Sequence, residues 1–587
     1  MIGCSDVLRM RQDVAIRVGL LSGHSTGMAK NDRERHRTRW LFNLANKQEN
    51  SFAKNVLMLM AAQILIKVLG LVYRLAITNI DGFGDLGNGY YSAGYQVYAV
   101  LLVLSSQGIP GAVSKLVSER TARGEYNNAH RVFKVSLVVF GVIGLAFSLI
   151  LFFGADYIAS TIMNVPPVSY VLKVLAPAIF FVCVSAVVRG YFAGLGTMGA
   201  SSITQSLEQF FNCVLTILFV YATVGQDAYI MAAAGNVSTT LAVLISFSYL
   251  IFYYKKNIRR CRKPSDDAVA TDARSNQRLA KLIIWTAIPL TIGSVISVVT
   301  SFIDTVTVSN CIQIAFRGIL ESKQALEEEA MRATGILSKV DTLTNLPLAV
   351  NLSFYSALIP EITSLLAKEK YQEASEKISM SVTISMLIII PCAIGYIVLA
   401  NPILHLLYPN APDGALVFQL SALAMIIVAV NHTLQGSLFG LGRMYTPAVA
   451  LLAGAVVKII LNLILISNPN IGMYGAPISS IVCQVIAFLI IYITLKKSIT
   501  VRMNKRKAFV VPIVSGGVMG VAILLLYRVL NGVLGNAVTT LLCIAVGALI
   551  YAFMILMLKM FTKEELMNIP MGGRIYAVAH RLGIYKE

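Results

Sequence analysis

The chain has 587 residues, of which 56% are hydrophobic and only 13% charged, and its formal net charge is +20. That balance leaves too little polar surface for a soluble protein of this size and reads as a polytopic helical membrane protein. Because the Lys and Arg residues fall in alternate loops between apolar segments, the positive charge does not point to nucleic acid.

Residues 1–51 are polar, basic and weakly periodic. No apolar run of about 7–15 residues with a small-residue cleavage site follows the early charges, so a secretory leader is not expected. This segment is read as a cytoplasmic extension, with Met28 as a second candidate initiator. After it come about fourteen apolar runs long enough to cross a bilayer core of roughly 30 Å as helices. They fall near residues 54–79, 88–110, 132–154, 168–192, 200–224, 228–253, 282–310, 333–359, 378–399, 415–440, 446–467, 473–495, 509–530 and 536–560. Spans one to six form an N-terminal lobe, residues 52–254, and spans seven to twelve a C-terminal lobe, 282–495. A basic linker, 255–281, joins them, while 496–560 holds two further spans and 561–587 a cytoplasmic tail.

Two stretches 246 residues apart repeat one pattern of glycines: Gly190-Tyr-Phe-Ala-Gly194-Leu195-Gly196 and Gly436-Ser-Leu-Phe-Gly440-Leu441-Gly442. Ile109-Pro110, Ser114 and Leu116 recur as Ile359-Pro360, Ser364 and Leu366, and Tyr126 with Ala129 as Tyr371 with Ala374. Six spans return a chain to the side it started from, so the repeats must be parallel, related by an axis along the membrane normal. The expected fold class is thus an all-α polytopic membrane protein of about 14 transmembrane helices: two parallel six-helix repeats plus two C-terminal helices. Pro177, Pro289, Pro347 and Pro391 lie inside spans, where a missing N–H and a ring clash kink a helix.

Basic loops follow the second span (Lys115, Arg120, Arg123), the sixth (Lys255, Lys256, Arg259, Arg260) and the twelfth (Lys496, Lys497, Arg502). The intervening loops Asp81 to Asn88, Ala155 to Val168, Asn401 to Gly414 and Ser467 to Gly472 contain neither Lys nor Arg. The positive-inside rule places the basic loops and both termini in the cytoplasm. One outer loop, about 311–332, departs from this with Arg317, Lys323 and Arg332, and is read as a short amphipathic helix on the outer surface.

A charge at bilayer depth costs at least about 2.5–3.5 kcal/mol, so ionisable residues within spans are functional candidates. In the first span Gln63, Lys67 and Arg74 share one stripe, expected to face an aqueous cavity. Ser201, Gln205, Glu208 and Asn212 form a second stripe in the fifth span, and Ser294, Ser297, Ser301 and Asp304 a third in the seventh. The eighth holds Lys339 and Asp341, about 200° apart around the helix and so directed at different partners. Lys458 stands one turn before Asn462 in the eleventh. A seam lined by the first, second, seventh and eighth spans sets Lys67, Arg74 and Lys339 against Asp304 and Asp341. Such a cationic cavity suits a large anion, above all one carrying phosphate, since Arg offers a bidentate fork and Lys a mobile point charge. Lys67, Arg74, Lys339 and Lys458 are the substrate-binding candidates, and Asp304, Asp341 and Glu208 the coupling or counter-ion candidates. For Glu208 and Lys458 an interhelical hydrogen bond is an equal alternative.

No phosphate-loop, His-Glu-x-x-His or Cys-x-x-Cys pattern is present, so neither a catalytic residue, a metal site nor a cofactor is expected. Cys183, Cys213, Cys392, Cys483 and Cys543 lie in apolar spans without paired spacing and read as packing residues.

Several strings carry a family resemblance: Lys67-Val-Leu-Gly70-Leu-Val-Tyr73-Arg74, Gly87-Asn-Gly89-Tyr-Tyr91, Gly108-Ile-Pro110 to Glu119, Ile303-Asp304-Thr305, Gly440-Leu-Gly442 to Asn462, and Tyr474-Gly475-Ala476. Over about residues 52 to 560 the chain resembles the polysaccharide-biosynthesis, stage V sporulation protein B-like branch of the multidrug/oligosaccharidyl-lipid/polysaccharide exporter superfamily. That branch includes MurJ-type lipid II flippases of Gram-positive bacteria. The resemblance implies a two-lobed transporter that alternates its access and moves an undecaprenyl-pyrophosphate-linked saccharide, most readily lipid II, across the plasma membrane. Arg74 matches a cationic position of the family's first helix. Lys339 falls where relatives often carry Arg, which keeps the charge and loses the fork.

The reading is therefore a transporter and not an enzyme, multi-pass in the bacterial cell membrane. Its expected partners are a lipid-linked anionic saccharide, membrane lipids and cell-wall synthesis enzymes, and it is expected to act as a monomer without nucleic acid. The rivals are a flippase for capsule or exopolysaccharide precursors, and a cation-coupled drug exporter, which would want an acid-dominated cavity. A membrane glycosyltransferase would need a large outer loop with a carboxylate, and the outer loops are short. In a cysteine-free background, a cysteine at Asn88 or Asp413 should react with an impermeant thiol reagent on intact cells, and one at Ser265 or Asn504 should not. Labelling at Ser265 from outside would reverse the orientation.

Overall fold

The computed structural model describes residues 65–197, 199–261, 273–501 and 503–561, with Gly573 and His580. The whole N-terminal extension with Met28, the start of the first span with Gln63, the centre of the linker and most of the C-terminal tail lie outside the described residues, as do the side chains of Ser294 and Ser297. Among the described residues every extended element is a helix, apart from an isolated bridge between Arg317 and Leu320. A helix satisfies its backbone polar groups within its own segment, which hydrocarbon demands.

The N-terminal lobe consists of α1 (65–78), α2 (Gly84–Ser106), α3 (Ile109–Ala122), α4 (Tyr126–Tyr157), α5 (Val168–Gly194), α6 (Gly199–Ala222) and α7 (Ala228–Cys261). The C-terminal lobe consists of α8 (Ala273–Phe316), α9 (Lys323–Ala367), α10 (Tyr371–Val398), the short α11 (Ala400–Leu407), α12 (Ala415–Gly440), α13 (Tyr445–Leu465) and α14 (Gly475–Ser498). Last comes α15 (Val511–Met557).

Within a lobe, packing is inverted relative to a soluble bundle. On α4 the exposed stripe is Val138, Val142, Leu145, Leu149 and Phe153, while Ser136, Gly144, Ser148 and Ala155 face inward. Lipid is as apolar as leucine, so small residues that allow close approach mark the interior. Gly144 illustrates this, because an added Cβ would lie 2.8 Å from Cys183 Cβ on α5.

The duplication is visible in backbone detail. α5 ends with Thr197 N–H on Phe192 O (2.9 Å) and Gly196 at φ +82°; α12 ends with Arg443 N–H on Leu438 O (2.9 Å) and Gly442 at φ +77°. Both are helix ends closed by a left-handed glycine, a conformation that a Cβ disfavours. The turns before α4 and α10 also match: Glu125 N–H reaches Arg120 O and Lys370 N–H reaches Leu365 O, around Gly124 and Glu369, both with positive φ. Gly194 packs on Ser114 and Val117 of α3, and Gly440 on Ile359 and Ile362 of α9, the same pairing in each half.

Eleven stretches among the described residues are long and apolar enough to cross a membrane. One of them, Arg506–Met557, runs 52 residues and turns at Gly535 (φ 74°). Its arms return on each other, since Gly547 meets Ile523 and Met519, and Cys543 Sγ lies 3.7 Å from Ile523 O. These arms are the expected thirteenth and fourteenth spans. They pack against α10, where Ile394 fits over Gly516 and Gly520 and Tyr551 Oη donates to Leu387 O (2.9 Å). The first span is only partly described and α9 is too polar to meet the same measure, so fourteen stays the expectation from sequence.

Three boundaries differ from expectation. The second span begins at Gly84 and not near 88, so Asp85 and Asn88 are buried helix residues instead of loop. Asn88 is therefore no labelling site, and the exposed Gln226, in the loop between α6 and α7, replaces it. The segment 311–332 is not a separate surface helix: α8 continues to Phe316, and α9 starts at Lys323 because Ser322 caps it, its Oγ accepting from Ala325 N–H at 3.0 Å. The linker shortens too, with helix running to Cys261 and resuming at Ala273.

The first helix of the C-terminal lobe, α8, packs on the N-terminal lobe, where a Cβ on Gly108 would sit 2.4 Å from Ala287 O. The lobes also meet at the end of the bundle that carries the Lys- and Arg-poor loops. There α2 and α9 touch backbone to backbone: a Cβ on Gly89 would sit 1.9 Å from Met331 O, and one on Gly335 1.8 Å from Asp85 O. Asn79 of the α1 end donates to Leu407 O (2.8 Å), and Asn410 donates back to Asn79 O (2.7 Å). Gly335→Ala should force this contact apart and lower the unfolding temperature of the purified protein, a loss of about 1–3 kcal/mol for an overpacked site. Gly196→Ala, a strained cap with open space around it, should cost less. An unchanged melting curve for Gly335→Ala would contradict the packing described.

Candidate functional site

The polar residues of the spans fall into two clusters, one at the lobe contact and one deeper in the bundle. At the contact, Lys339 of α9 is wholly buried and its Nζ lies 2.7 Å from Asp85 Oδ1 of α2. The same ammonium donates to Ala411 O (2.6 Å) and stands 5.3 Å from the centre of the Tyr408 ring. One cation thus joins α2, α9 and the 408–414 loop, which Arg332 also pins through Asp413 (2.5 Å).

Next to Lys339 on α9, Ser338 accepts from Arg74 Nη2 at 3.2 Å. Arg74 Nη1 donates to Asn88 Oδ1 (2.9 Å), Asn88 Nδ2 donates to Thr78 Oγ1 (2.6 Å), and the guanidinium carbon is 5.2 Å from the Tyr91 ring centre. Arg74 therefore spans α1, α2 and α9 through neutral partners. A guanidinium has five N–H donors, and only two are engaged here.

In the second cluster Lys458 of α13 lies 2.5 Å from Asp304 Oδ2 of α8. Asn462, one turn on, donates to Thr307 Oγ1 (2.9 Å) and to Asp304 Oδ1 (3.3 Å), and accepts from Ser479 of α14. Asp341 of α9 is exposed, yet Lys458, Asp304 and Arg74 all act on it electrostatically. An exposed carboxylate facing charges on three other helices lines the space between the lobes. Asn345, one turn below it, is exposed on the same face.

The candidates from sequence therefore separate. Arg74, Asp304, Asp341 and Lys458 are brought around one interlobe space; Lys339 is directed away from Asp341 and held by Asp85. Lys67 is exposed on α1 and makes no ion pair among the described residues. Glu208 faces Arg189 of α5 at 4.0 Å, and Asn212 of the same stripe accepts from Ser238 of α7 (2.8 Å). Sequence reasoning missed Asp85, Asn88 and Arg189. Asp85 and Asn88 fall in the stretch read as the loop Asp81 to Asn88; the signal for a helix there is the absence of Pro and the apolar run that follows at once. The expected excess of cations over acids is reduced, since Lys339 and Lys458 each have a carboxylate partner.

Removing one member of a buried ion pair strands the other in a dry site and costs about 3–5 kcal/mol, whereas removing both can be nearly neutral. Lys339→Met should accordingly destabilise the purified protein far more than Lys339→Met combined with Asp85→Leu. Thermal unfolding in detergent measures this, and equal losses in the single and double variants would show that the pair is not coupled.

Comparison with known proteins places this arrangement. The model of the polysaccharide biosynthesis protein family matches residues 52–366, and that of the MatE family residues 305–464. Stage V sporulation protein B of Bacillus subtilis (strain 168) is 26% identical over 90% of this chain and 99% of its own length. Lipid II flippase MurJ of the same organism is 23% identical over 83% of this chain and 92% of its own. A solved structure of a lipid II flippase MurJ, in an inward closed conformation, superposes with a TM-score of 0.65 at 14% identity, covering 86% of this chain and 99% of that one. These findings agree with the fold read above, and the chain belongs to the polysaccharide biosynthesis protein family, in the stage V sporulation protein B and MurJ-like branch of the multidrug/oligosaccharidyl-lipid/polysaccharide exporter superfamily of membrane transporters.

Proposed function

We propose that this transporter flips an undecaprenyl-pyrophosphate-linked saccharide across the bacterial plasma membrane, and that the saccharide lipid is lipid II of peptidoglycan synthesis. The observation that carries the reading is Arg74. Among the described cations of the interlobe space it alone is buried with neutral hydrogen-bond partners, so its charge is not cancelled by a bonded carboxylate and three of its donors are unused. A pyrophosphate fits such a fork.

The basic loops define the cytoplasmic end by the positive-inside rule. On that orientation the closed lobe contact is extracellular, and the lipid headgroup enters from the cytoplasmic side while its polyprenyl chain stays in the bilayer. Pyrophosphate drawn to Arg74 competes with Ser338 and Asn88 for the guanidinium. That weakens the bridge from α1 to α2 and α9, and leaves the outer end to Asp85–Lys339, the glycine contact, the Asn79 bonds to Leu407 and Asn410, and the bonds from Ser309 and Asn310 of α8 to Met163 O and Ile162 O. Opening there separates Lys339 from Asp85, and the freed ammonium becomes a second cation for the departing anion. Lys458 and Asp304 neutralise each other across α8 and α13, and Asp341 is the carboxylate left to respond to an ion or proton gradient.

A flippase for another lipid-linked saccharide is the second reading, because the likeness to stage V sporulation protein B is no weaker than that to the lipid II flippase. Depleting the protein in its host and identifying the lipid-linked intermediate that accumulates on the inner leaflet separates the two. In proteoliposomes, Arg74→Ala should abolish headgroup translocation while inserting normally, and Arg74→Lys should keep a minor part of the rate because the fork is lost. Full activity of Arg74→Ala would remove this residue from the mechanism.

A further inference from the structure

The basic end of the N-terminal lobe holds a cavity that the transport path does not use. It has a volume of about 240 Å³ and lies where α3, α4 and the first turns of α8 converge, lined by Arg120, Asn128, Arg131, Arg278, Leu279 and Leu282. Three guanidiniums face it, and the acid beside them among the described residues is Glu125, 3.8 Å from Arg120 Nη1. Arg120 Nε is buried and has no hydrogen-bond partner. Arg131 directs Nε and Nη2 to Asn276 Oδ1 (2.9 and 2.7 Å), which ties α4 to α8 and leaves its second terminal nitrogen unengaged.

A cationic cavity with an orphaned, buried N–H is arranged for an oxyanion. A phosphate oxygen is the acceptor that guanidinium groups bind best, in two-point contacts. The surroundings indicate which phosphate. From the rim of the cavity, Leu282, Trp285 and Ile288 run along α8 at spacings of three and are all exposed. They form an apolar track leading away from the charges, and tryptophan is the residue enriched at the membrane–water interface. A soluble phosphate has no use for such a track, whereas a phospholipid places its phosphodiester in the cavity and its acyl chain along these side chains.

We infer that this cavity is a binding site for an anionic phospholipid headgroup of the basic-side leaflet, which bridges the N-terminal lobe to the first helix of the C-terminal lobe. The bound phosphate adds to the Arg131–Asn276 link between α4 and α8, so lipid composition would bear on how readily the two move apart. Basic pockets between transmembrane helices recognise headgroups in this way, and a Lys or Arg near an anionic leaflet contributes about 1 kcal/mol.

The test uses the full-length protein in detergent, titrated by native mass spectrometry with phosphatidylglycerol, with phosphatidylcholine of the same chains, and with inorganic phosphate. Wild type should bind phosphatidylglycerol in preference to phosphatidylcholine. Arg278→Gln should weaken that binding about fivefold, the equivalent of the contribution cited per arginine, and Arg278→Lys should weaken it less. Trp285→Ala should weaken the lipid and leave any binding of inorganic phosphate unchanged. Each variant's unfolding temperature is recorded, and Arg278→Lys serves where Arg278→Gln fails to fold. Equal affinity for the two lipids, or wild-type affinity in Arg278→Gln, overturns the site. Displacement of phosphatidylglycerol by millimolar inorganic phosphate, with no effect of Trp285→Ala, assigns the cavity to soluble phosphate and overturns the lipid.

Discussion

Two lobes in a bilayer have no hydrophobic effect to press them together, because the lipid they displace is as apolar as their own surfaces. The tightest contact between the lobes at one end is the approach of α2 to α9, and that approach depends on the absence of two side chains. Gly89 and Gly335 let each helix touch the other's backbone, and only at that separation can Lys339 reach Asp85. Burying this pair is costly in isolation. Its value lies in position: the ammonium also holds Ala411 O of a loop that in turn meets the end of α1. Three segments from both lobes thus converge on one cation that is shut away from solvent.

A contact of this kind suits the opening proposed above. Backbone-to-backbone packing and one ion pair have a narrow range of attraction, so a modest separation loses most of the interaction at once instead of bending it gradually. The second cluster differs. Asp304, Lys458, Asn462 and Ser479 bind α8, α13 and α14 within the C-terminal lobe, so that network can move with its lobe. Asp341 and Arg74 stand between the two regimes: charges of both lobes act on Asp341, and Arg74 bonds to Asn88 in one lobe and Ser338 in the other.

Much of the fold was legible because membrane helices announce themselves in length and polarity, and because the duplication repeats glycines whose role is conformational. Gly196 and Gly442 occupy equivalent left-handed caps, so the repeat seen in letters is a repeat of backbone geometry. Lys339 and Asp341 were correctly separated by helical angle alone. What sequence did not disclose was pairing. Asp85 hid among Gly82, Gly84, Gly87 and Gly89, of which Gly82 and Gly84 do make the turn and Gly89 serves helix contact, and no local pattern links it to a lysine some 250 residues later. The same holds for Lys458 and Asp304, joined only by the packing of α13 on α8. Because pairs decide which charges remain available to a ligand, the cationic surplus counted along the chain was larger than the one the folded cavity presents.

The central claim is that the buried pair between α2 and α9 holds the outer end shut. Spin labels at Gln226 and Asn470, both exposed in outer loops of opposite lobes, report the separation of that end by pulsed electron paramagnetic resonance in lipid nanodiscs. The account predicts a narrow, short distance in the otherwise native protein and a population shifted to longer distance in Lys339→Met, returned towards the short one when Asp85→Leu is added. An unchanged distribution in Lys339→Met would contradict it.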